Sequence, residues 1–281
     1  MDTVLLSHEQ VIRSVAFFGP LTLLAFWEAA APRRTSTWPT AGRWLGNLAL
    51  GVLSTLLLRW LSPILSVGAA LLASERGWGL LNNVALPHWL SIAVSMVLLD
   101  VISYFAHRIF HAVAVLWRFH QVHHADLDLD LSTGLRFHPL ESLAFAAINI
   151  AVVLMLGLPA AAVLAFETLV SATNLFTHGN VRLPFTLDRV LRLFVVTPDM
   201  HRVHHSVLAV EGNANFGNTV PLWDRLFGTY RAQPVAGHEA MTIGLPEFRD
   251  SRSGVLFWML AHPFSRRAGA WSGADLESGS V

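Results

Sequence analysis

Up to residue 176 the chain is dominated by long apolar stretches separated by short polar ones, and their length is more telling than any periodicity. The first runs over Val11–Ala31, with Arg13 at its edge and Glu28 near its end. The second is Trp44–Ala73, with Arg59 and Pro63 inside, and the third is Ala85–Ala106, where Asp100 is the only charge. Each supplies the roughly 20 helical residues that cross a hydrocarbon core of about 30 Å. The fourth, Leu140–Phe176, is broken by Gly157-Leu158-Pro159 into halves of about 25 Å as helix. It reads either as one kinked helix or as a hairpin that crosses twice. His138 precedes it and His178 follows it. If both serve one site, both ends face the same side, which favours the hairpin and five crossings over four.

The polar segments set an expected orientation. Arg33, Arg34 and Arg43 lie in the first loop, whereas Ser74–Val84 holds only Glu75 and Arg76. Arginines are again frequent in His107–Pro139 and after His178. By the positive-inside rule the first loop, the histidine-rich segments and the C-terminus are cytoplasmic and the N-terminus is exterior. The first run does not read as a signal peptide, because no strongly basic segment precedes it and the apolar pattern continues far beyond it. From Thr177 the chain turns polar and reads as a helical cap. Within it, Gly254–Phe264, flanked by Arg252, Arg266 and Arg267, is either an interfacial helix or a core helix of the cap. The small, polar tail Ala268–Val281 is expected to be disordered.

Composition sharpens this picture. Of 281 residues, 53% are hydrophobic and 14% charged, well under the roughly 25% charged of soluble domains. Nineteen basic and nineteen acidic residues give zero net charge, which argues against a nucleic-acid partner. Cysteine is absent, which excludes disulfides, thiolate metal sites and a thiol nucleophile. Histidine is abundant, at 14 residues. The expected fold class is an all-α integral membrane protein of four to five transmembrane helices, with a cytosolic helical cap holding a histidine-cluster di-metal site.

Nine histidines fall in four tight groups: His107 and His111; His120, His123 and His124; His178; and His201, His204 and His205. Spacings of three and four residues put side chains on one face of a helix, so two imidazoles reach one ion without distorting the backbone. Nine ligands exceed the needs of one ion, so two ions are expected. Imidazole suits iron, zinc, copper and nickel alike. His8, His88, His238 and His262 are isolated and read as structural. Asp100, Tyr104, His107 and His111 form one helical stripe. An ionisable group inside a membrane helix is usually functional, so Asp100 either orients a ligand imidazole or makes a helix–helix hydrogen bond. Phe105, Phe110, Phe137 and Phe176 flank the histidines and either line a substrate pocket or pack.

Between Asp100 and Tyr230, close to half the chain, the motif order is His107-Arg108…His111, His120…His123-His124, Arg136-Phe137-His138-Pro139-Leu140-Glu141, His178-Gly179-Asn180 and Thr197-Pro198…His201…His204-His205. It ends in Asn215-Phe216-Gly217-Asn218 and Trp223-Asp224…Phe227-Gly228-Thr229-Tyr230. This order resembles the fatty acid hydroxylase/sterol desaturase superfamily of membrane-bound di-iron oxygenases. The HxxxH spacing of the first box is that of its sterol-desaturase-like branch. The resemblance implies two iron ions, replaceable by zinc on purification, held by the nine histidines, with O2 as co-substrate and hydroxylation or desaturation of a lipid C–H bond. The substrate would come from the bilayer. It leaves His138 as a ligand, an orienting donor or a helix-start residue, and Asn180, Asn215 and Asp224 as ligand-orienting or turn-forming groups. Asn174 stands where some members have a further histidine. No fused cytochrome b5 or ferredoxin domain is seen, so electrons are expected from a separate reductase with a cytochrome b5- or ferredoxin-like protein. The expected organisation is 1–99 membrane helices, 100–231 hydroxylase-like catalytic domain and 232–281 cytosolic or interfacial C-terminal segment. The short loops and the start of the chain lean towards a bacterial inner membrane. The rival readings are a histidine-cluster zinc hydrolase, against which stands the lack of HExxH, and a non-catalytic metal-binding membrane protein, against which stands the placement of the histidines at the membrane edge.

Overall fold

A computed structural model describes residues 2–62 and 65–265; the tail expected to be disordered, with Arg266 and Arg267, lies outside the described residues. The chain is helical, and among the described residues two isolated bridges are the only β-pairing. A short helix α1 (Asp2–Ser7) leads into the long α2 (Glu9–Ala30), then α3 (Thr40–Leu61), α4 (Ser66–Arg76), α5 (His88–Ala112), α6 (Ala114–His124), α7 (Pro139–Leu156) and α8 (Ala160–His178). Short helices build the rest: α9 (Phe185–Leu191), α10 (Pro198–His204), α11 (Ala209–Gly212), α12 (Leu222–Leu226), α13 (Gly237–Ala240) and α14 (Leu256–Ala261).

Among the described residues, five segments are long and apolar enough to cross a membrane: Glu9–Ala30, Thr40–Asn83, His88–Ala112, Pro139–Leu156 and Ala160–His178. Their outer faces are apolar, with Val15, Phe18, Phe26, Val52, Val97 and Met155 each more than half exposed, the inverse of a soluble surface. Side-chain and backbone contacts fix the direction of each pass. At the end near the histidines, Glu28 at the close of α2 accepts from the backbone of Asn180 (2.6 Å) and Leu131 (2.8 Å). Arg43 near the start of α3 pairs with Asp126 just after α6. At the opposite end, the loop after α4 reaches the turn between α7 and α8, where Leu80 N–H donates to Met155 O. The chain therefore passes between the two ends five times.

The second pass departs from the single span expected over Trp44–Ala73: α3 stops at Leu61 and α4 restarts at Ser66, on either side of Pro63, which cannot donate a helix hydrogen bond. The fourth run is a hairpin. Gly157 caps α7 in the left-handed conformation, φ +66°, as a residue without Cβ does at low cost. A Cβ there would lie 2.6 Å from Trp78 O. Val153, Val163 and Leu164 then pack α7 and α8 together with Val67 and Ala70 of α4.

The cap is held to the membrane helices by buried charge. Arg43, 5% exposed, donates to Asp126 (2.6 Å), Asp130 (2.9 Å) and Asp128 O (2.8 Å). Arg136, fully buried, reaches Asn47 Oδ1 (2.9 Å), Val122 O (2.7 Å) and Ser253 O (2.6 Å). Arg33 pairs with Asp199 and Glu239, and Arg34 donates to Met241 O. The first-loop arginines that read as topological signals thus clamp the cap as well. In α14, Met259 is buried against Leu50 and Val122 while Phe257 is exposed, so Gly254–Phe264 contributes at least one face to the cap core.

Candidate metal centre

Three helix ends and one short helix bring the nine imidazoles together. α5 ends with His107 and His111, α6 with His120, His123 and His124, and α8 with His178. α10 carries His201 and His204 and is capped by His205; it starts where Thr197 Oγ1 accepts from Met200 N–H with Pro198 in the first turn, a standard helix-start arrangement. The side chains form two clusters: His107, His111, His120, His124 and His204 in one, His123, His178, His201 and His205 in the other, with candidate ligand atoms inside each within 4.8 Å of one another. All nine are buried, none more than 7% exposed. The clusters adjoin: the His124 and His205 rings stack at 4.6 Å.

The nitrogen geometry fits metal ions. In the first cluster Nε2–Nε2 separations are 3.2 Å for His107–His120, 3.2 Å for His120–His124 and 3.1 Å for His107–His204. In the second they are 3.1 Å for His123–His178, 3.1 Å for His178–His201 and 3.2 Å for His201–His205. Metal–nitrogen bonds of about 2.1 Å put neighbouring ligand atoms about 3.0–3.4 Å apart. Nor are these contacts ordinary hydrogen bonds. His107 Nδ1–H donates to Phe216 O (2.8 Å), His204 Nδ1–H to Ala214 O (2.7 Å) and His178 Nδ1–H to Asn174 O (2.7 Å). A carbonyl only accepts, so in each neutral ring Nε2 carries the lone pair. Burial, reinforced by neighbouring imidazoles, pushes His204 well below the usual histidine range, and burial takes His120 down to about 3. The His107 and His204 lone pairs therefore face each other at 3.1 Å, an arrangement that a shared cation makes favourable. Fixing the outer nitrogen on a carbonyl or carboxylate is how metal-binding histidines are held.

The other expected site residues lie one step out. Asp100 accepts from Trp223 Nε1–H at 2.6 Å; its helix–helix alternative is the closer description, since the contact joins α5 to α12 and not to an imidazole. His138 belongs to neither cluster. It starts α7, its Nδ1 accepting from Leu140 N–H at 3.1 Å, which is its helix-start reading. Asn180 ties the end of α8 to the first loop through both backbone groups of Arg34 (3.0 and 2.8 Å). Asn215 stands at φ +54°, where asparagine is tolerated, and donates to Met200 O (2.9 Å) and Arg231 O (2.8 Å). Asp224 accepts from Phe216 N–H (2.8 Å), Gly217 N–H (2.9 Å) and Thr229 Oγ1–H (2.7 Å). A Cβ on Gly217 would come within 2.8 Å of that carboxylate. Asn215 and Asp224 thus fix the loop whose Ala214 and Phe216 carbonyls hold His204 and His107. Burial raises the Asp224 carboxyl above its usual range, and these hydrogen bonds oppose that.

Glu141 is the functional candidate that the sequence reading passed over. Fully buried, its Oε1 lies 2.6 Å from His120 Nδ1. The signal was present in the Arg136–Glu141 motif, in the glutamate three positions after His138 and in the first turn of α7. Asn174 contributes through its backbone carbonyl to His178 and through its side chain to Gly134 O. Phe137 stacks on His123 at 4.7 Å and Phe110 stacks on Phe145 at 4.3 Å.

The profile of the fatty acid hydroxylase family matches residues 92–229, the segment that carries both clusters. This segment, just under half of the chain, is thus similar to the fatty acid hydroxylase family. The chain is 33% identical over 181 residues to the ornithine lipid hydroxylase OlsE of Rhizobium tropici, covering 64% of this chain and 52% of that protein. It is 31% identical over 133 residues to the human (Homo sapiens) alkylglycerol monooxygenase, covering 46% of this chain and 28% of the relative. It is 29% identical over 156 residues to the very-long-chain aldehyde decarbonylase GL1-11 of Oryza sativa subsp. indica, covering 54% and 58%. The chain thus spans about half or less of the length of the first two relatives. No solved structure matches it.

Proposed function

We propose that the protein is a membrane-bound, O2-dependent oxygenase that hydroxylates a C–H bond of a lipid, with two irons held by the nine histidines. The facing Nε2 lone pairs of His107 and His204, with both outer nitrogens committed to carbonyls, carry the metal part of this reading. Hydroxylation is preferred to desaturation because a hydroxylase and a monooxygenase stand among the relatives, and their names point to a lipid of the ornithine lipid or alkylglycerol kind. The overall balance is RH + O2 + 2 electrons + 2 protons giving ROH + H2O. The electrons come from a separate reductase with a cytochrome b5- or ferredoxin-like protein. We place the protein in a bacterial inner membrane with the cap towards the cytoplasm; the arginines at the cap end and the Rhizobium relative support this. Residues 100–231 are the catalytic unit of this reading.

Bound iron supplies the O2-reducing chemistry that an unactivated C–H bond requires. The chain does the rest. The carbonyls of Asn174, Ala214 and Phe216 fix the ring orientation of His178, His204 and His107. Glu141 accepts a hydrogen bond from His120 Nδ1–H, making that imidazole a stronger metal ligand. Asp224 and Asn215 hold the carbonyl-bearing loop in place. Burial of all nine rings keeps bulk water away. A zinc hydrolase needs three protein ligands and an open position, which two full imidazole clusters do not favour.

The test is metal content and product. Protein purified in detergent from iron-supplemented cells is expected to hold two irons per chain, with His204→Ala and His201→Ala each losing about half. Lipids of expressing cells should gain one oxygen, dependent on O2 and on His204. Tightly bound zinc without iron uptake, and unchanged lipids, would refute the reading; loss of two hydrogens instead would replace hydroxylation by desaturation.

A further inference from the structure

The cap carries a set of exposed apolar side chains that no part of the site uses. Phe185, Val190, Leu193, Phe194, Leu222 and Leu226, on and beside α9 and α12, are 50–74% exposed. The two helices are joined, Arg225 donating to Arg192 O at 3.0 Å. A soluble cap would not leave such a patch to water. Its charges are of one sign. Residues 181–195 and 221–231 contain five arginines and two carboxylates. Both carboxylates, Asp188 and Asp224, are buried, Asp188 against Arg192 at 2.7 Å. Arg189 and Arg225 are exposed, Arg225 lying over the Tyr230 ring at 4.0 Å.

The patch continues the lipid-facing side of α5. Phe105, 39% exposed on α5, meets Phe227 at the end of α12 with ring centroids 4.9 Å apart. Trp223 of α12 is tied to Asp100 of α5. Trp89, 69% exposed at the opposite end of α5, marks the other interface. Phe105 lies about 24 Å from it along the helix. In a core of about 30 Å this leaves α12 about 6 Å below the cap-side boundary, the depth at which interfacial helices sit.

We propose that the face built by α9 and α12 is a docking surface for anionic headgroup lipids of the surrounding bilayer, its apolar side chains in the acyl boundary and Arg189 and Arg225 at phosphate level. This rests on the membrane-bound reading. The surface also adjoins the site: Phe227 stacks on Tyr104 (5.5 Å), Tyr104 faces Phe216 (6.3 Å), and Phe216 touches the rings of His107, His111 and His204 (5.1–5.6 Å).

The cysteine-free sequence allows single labelling. Phe194→Cys and Leu226→Cys, with Val97→Cys as the lipid-embedded control and Arg252→Cys as the aqueous control, are labelled with a fluorophore. The full chain is then reconstituted in phosphatidylcholine–phosphatidylglycerol nanodiscs. Labels at 194 and 226 should behave like that at 97, quenched by brominated lipid and shielded from an aqueous nickel chelate; behaviour like that at 252 would overturn the surface. Brominated phosphatidylglycerol should quench them about two- to fivefold more than brominated phosphatidylcholine, and Arg189→Gln with Arg225→Gln should equalise the two. Equal quenching with the arginines intact would overturn the headgroup assignment. None of these readings needs turnover, so their failure is separate from failure of the oxygenase reading.

Discussion

Single side chains decide how firmly the imidazoles are aimed. Glu141 sits at 2.6 Å from His120 Nδ1 and is wholly buried, so its carboxylate matters through one ring. We predict that Glu141→Gln lowers metal retention or activity about 10- to 100-fold, read as metal per chain after dialysis against a chelator and as product formed. Its melting temperature in detergent should stay close to that of the parent, because glutamine retains an acceptor of the same shape. A chain that keeps its metal would show that His120 needs no anionic partner. Asp224→Ala removes three hydrogen bonds to one carboxylate; hydrogen bonds to charged groups contribute about 1.5–3 kcal/mol each. The expected result is a lowered melting temperature together with weaker metal binding by the His107 cluster, since the Phe216 carbonyl is freed. The histidines themselves were legible from spacing, but only the i, i+4 pairs share a cluster. His120–His123 and His201–His204, three apart, divide between the two, because a three-residue step turns the second ring to the other side of the helix face. Glu141, Asp126 and the three carbonyls were not legible, because a backbone acceptor carries no side-chain signature and Asp126 is joined to Arg43 across 83 positions.

At the scale of elements, the hairpin α7–α8 returns the chain to the cap, and Gly157 makes its turn. A side chain there meets both a left-handed φ of +66° and Trp78 O at 2.6 Å from the Cβ position. The left-handed conformation alone costs about 1–2 kcal/mol for an L-residue. Gly157→Val should therefore lower the detergent melting temperature by several degrees while the folded fraction keeps its metal, since the turn lies at the end of the bundle away from the histidines. Equal loss of metal would show that the far turn and the centre are coupled. The hairpin was legible in the Gly-Leu-Pro break and in the demand that His138 and His178 share a side. That demand was only half fulfilled, because His138 starts α7 and joins neither cluster. The break between α3 and α4 was not read from Pro63, because hydropathy alone runs smoothly through it. Nor was the apolar face of α9 and α12 apparent, since neither short helix carries a run long enough to attract notice.

For the whole molecule, the centre makes stability depend on pH with a definite sign. Six of the clustered imidazoles, His120, His123, His124, His201, His204 and His205, lie outside the membrane passes and are pushed below the ordinary histidine range, chiefly by burial. In the unfolded chain each titrates near 6.5. Between that value and the folded one, the unfolded state binds more protons, so stability rises with pH there and falls as the medium is acidified. Below 6.5 each such ring disfavours the fold, and the six act together against a net stability of only about 5–15 kcal/mol for a typical domain. Metal removal acts in the same direction, since bound cations also require neutral rings. We therefore predict a melting temperature in detergent that is level above about pH 6.5 and falls steeply below it, with chelator-treated protein lower throughout. Asp126 adds a second fall further down. Arg43 and Arg136 hold its carboxyl well below the usual range against the opposing effect of burial, so its contribution is present above about pH 4 and lost as the pH drops below that. Asp126→Asn should flatten the lower fall and leave the upper one in place. A melting temperature unchanged between neutrality and pH 5 would mean that the rings are charged in the folded protein, and facing lone pairs would no longer argue for a metal.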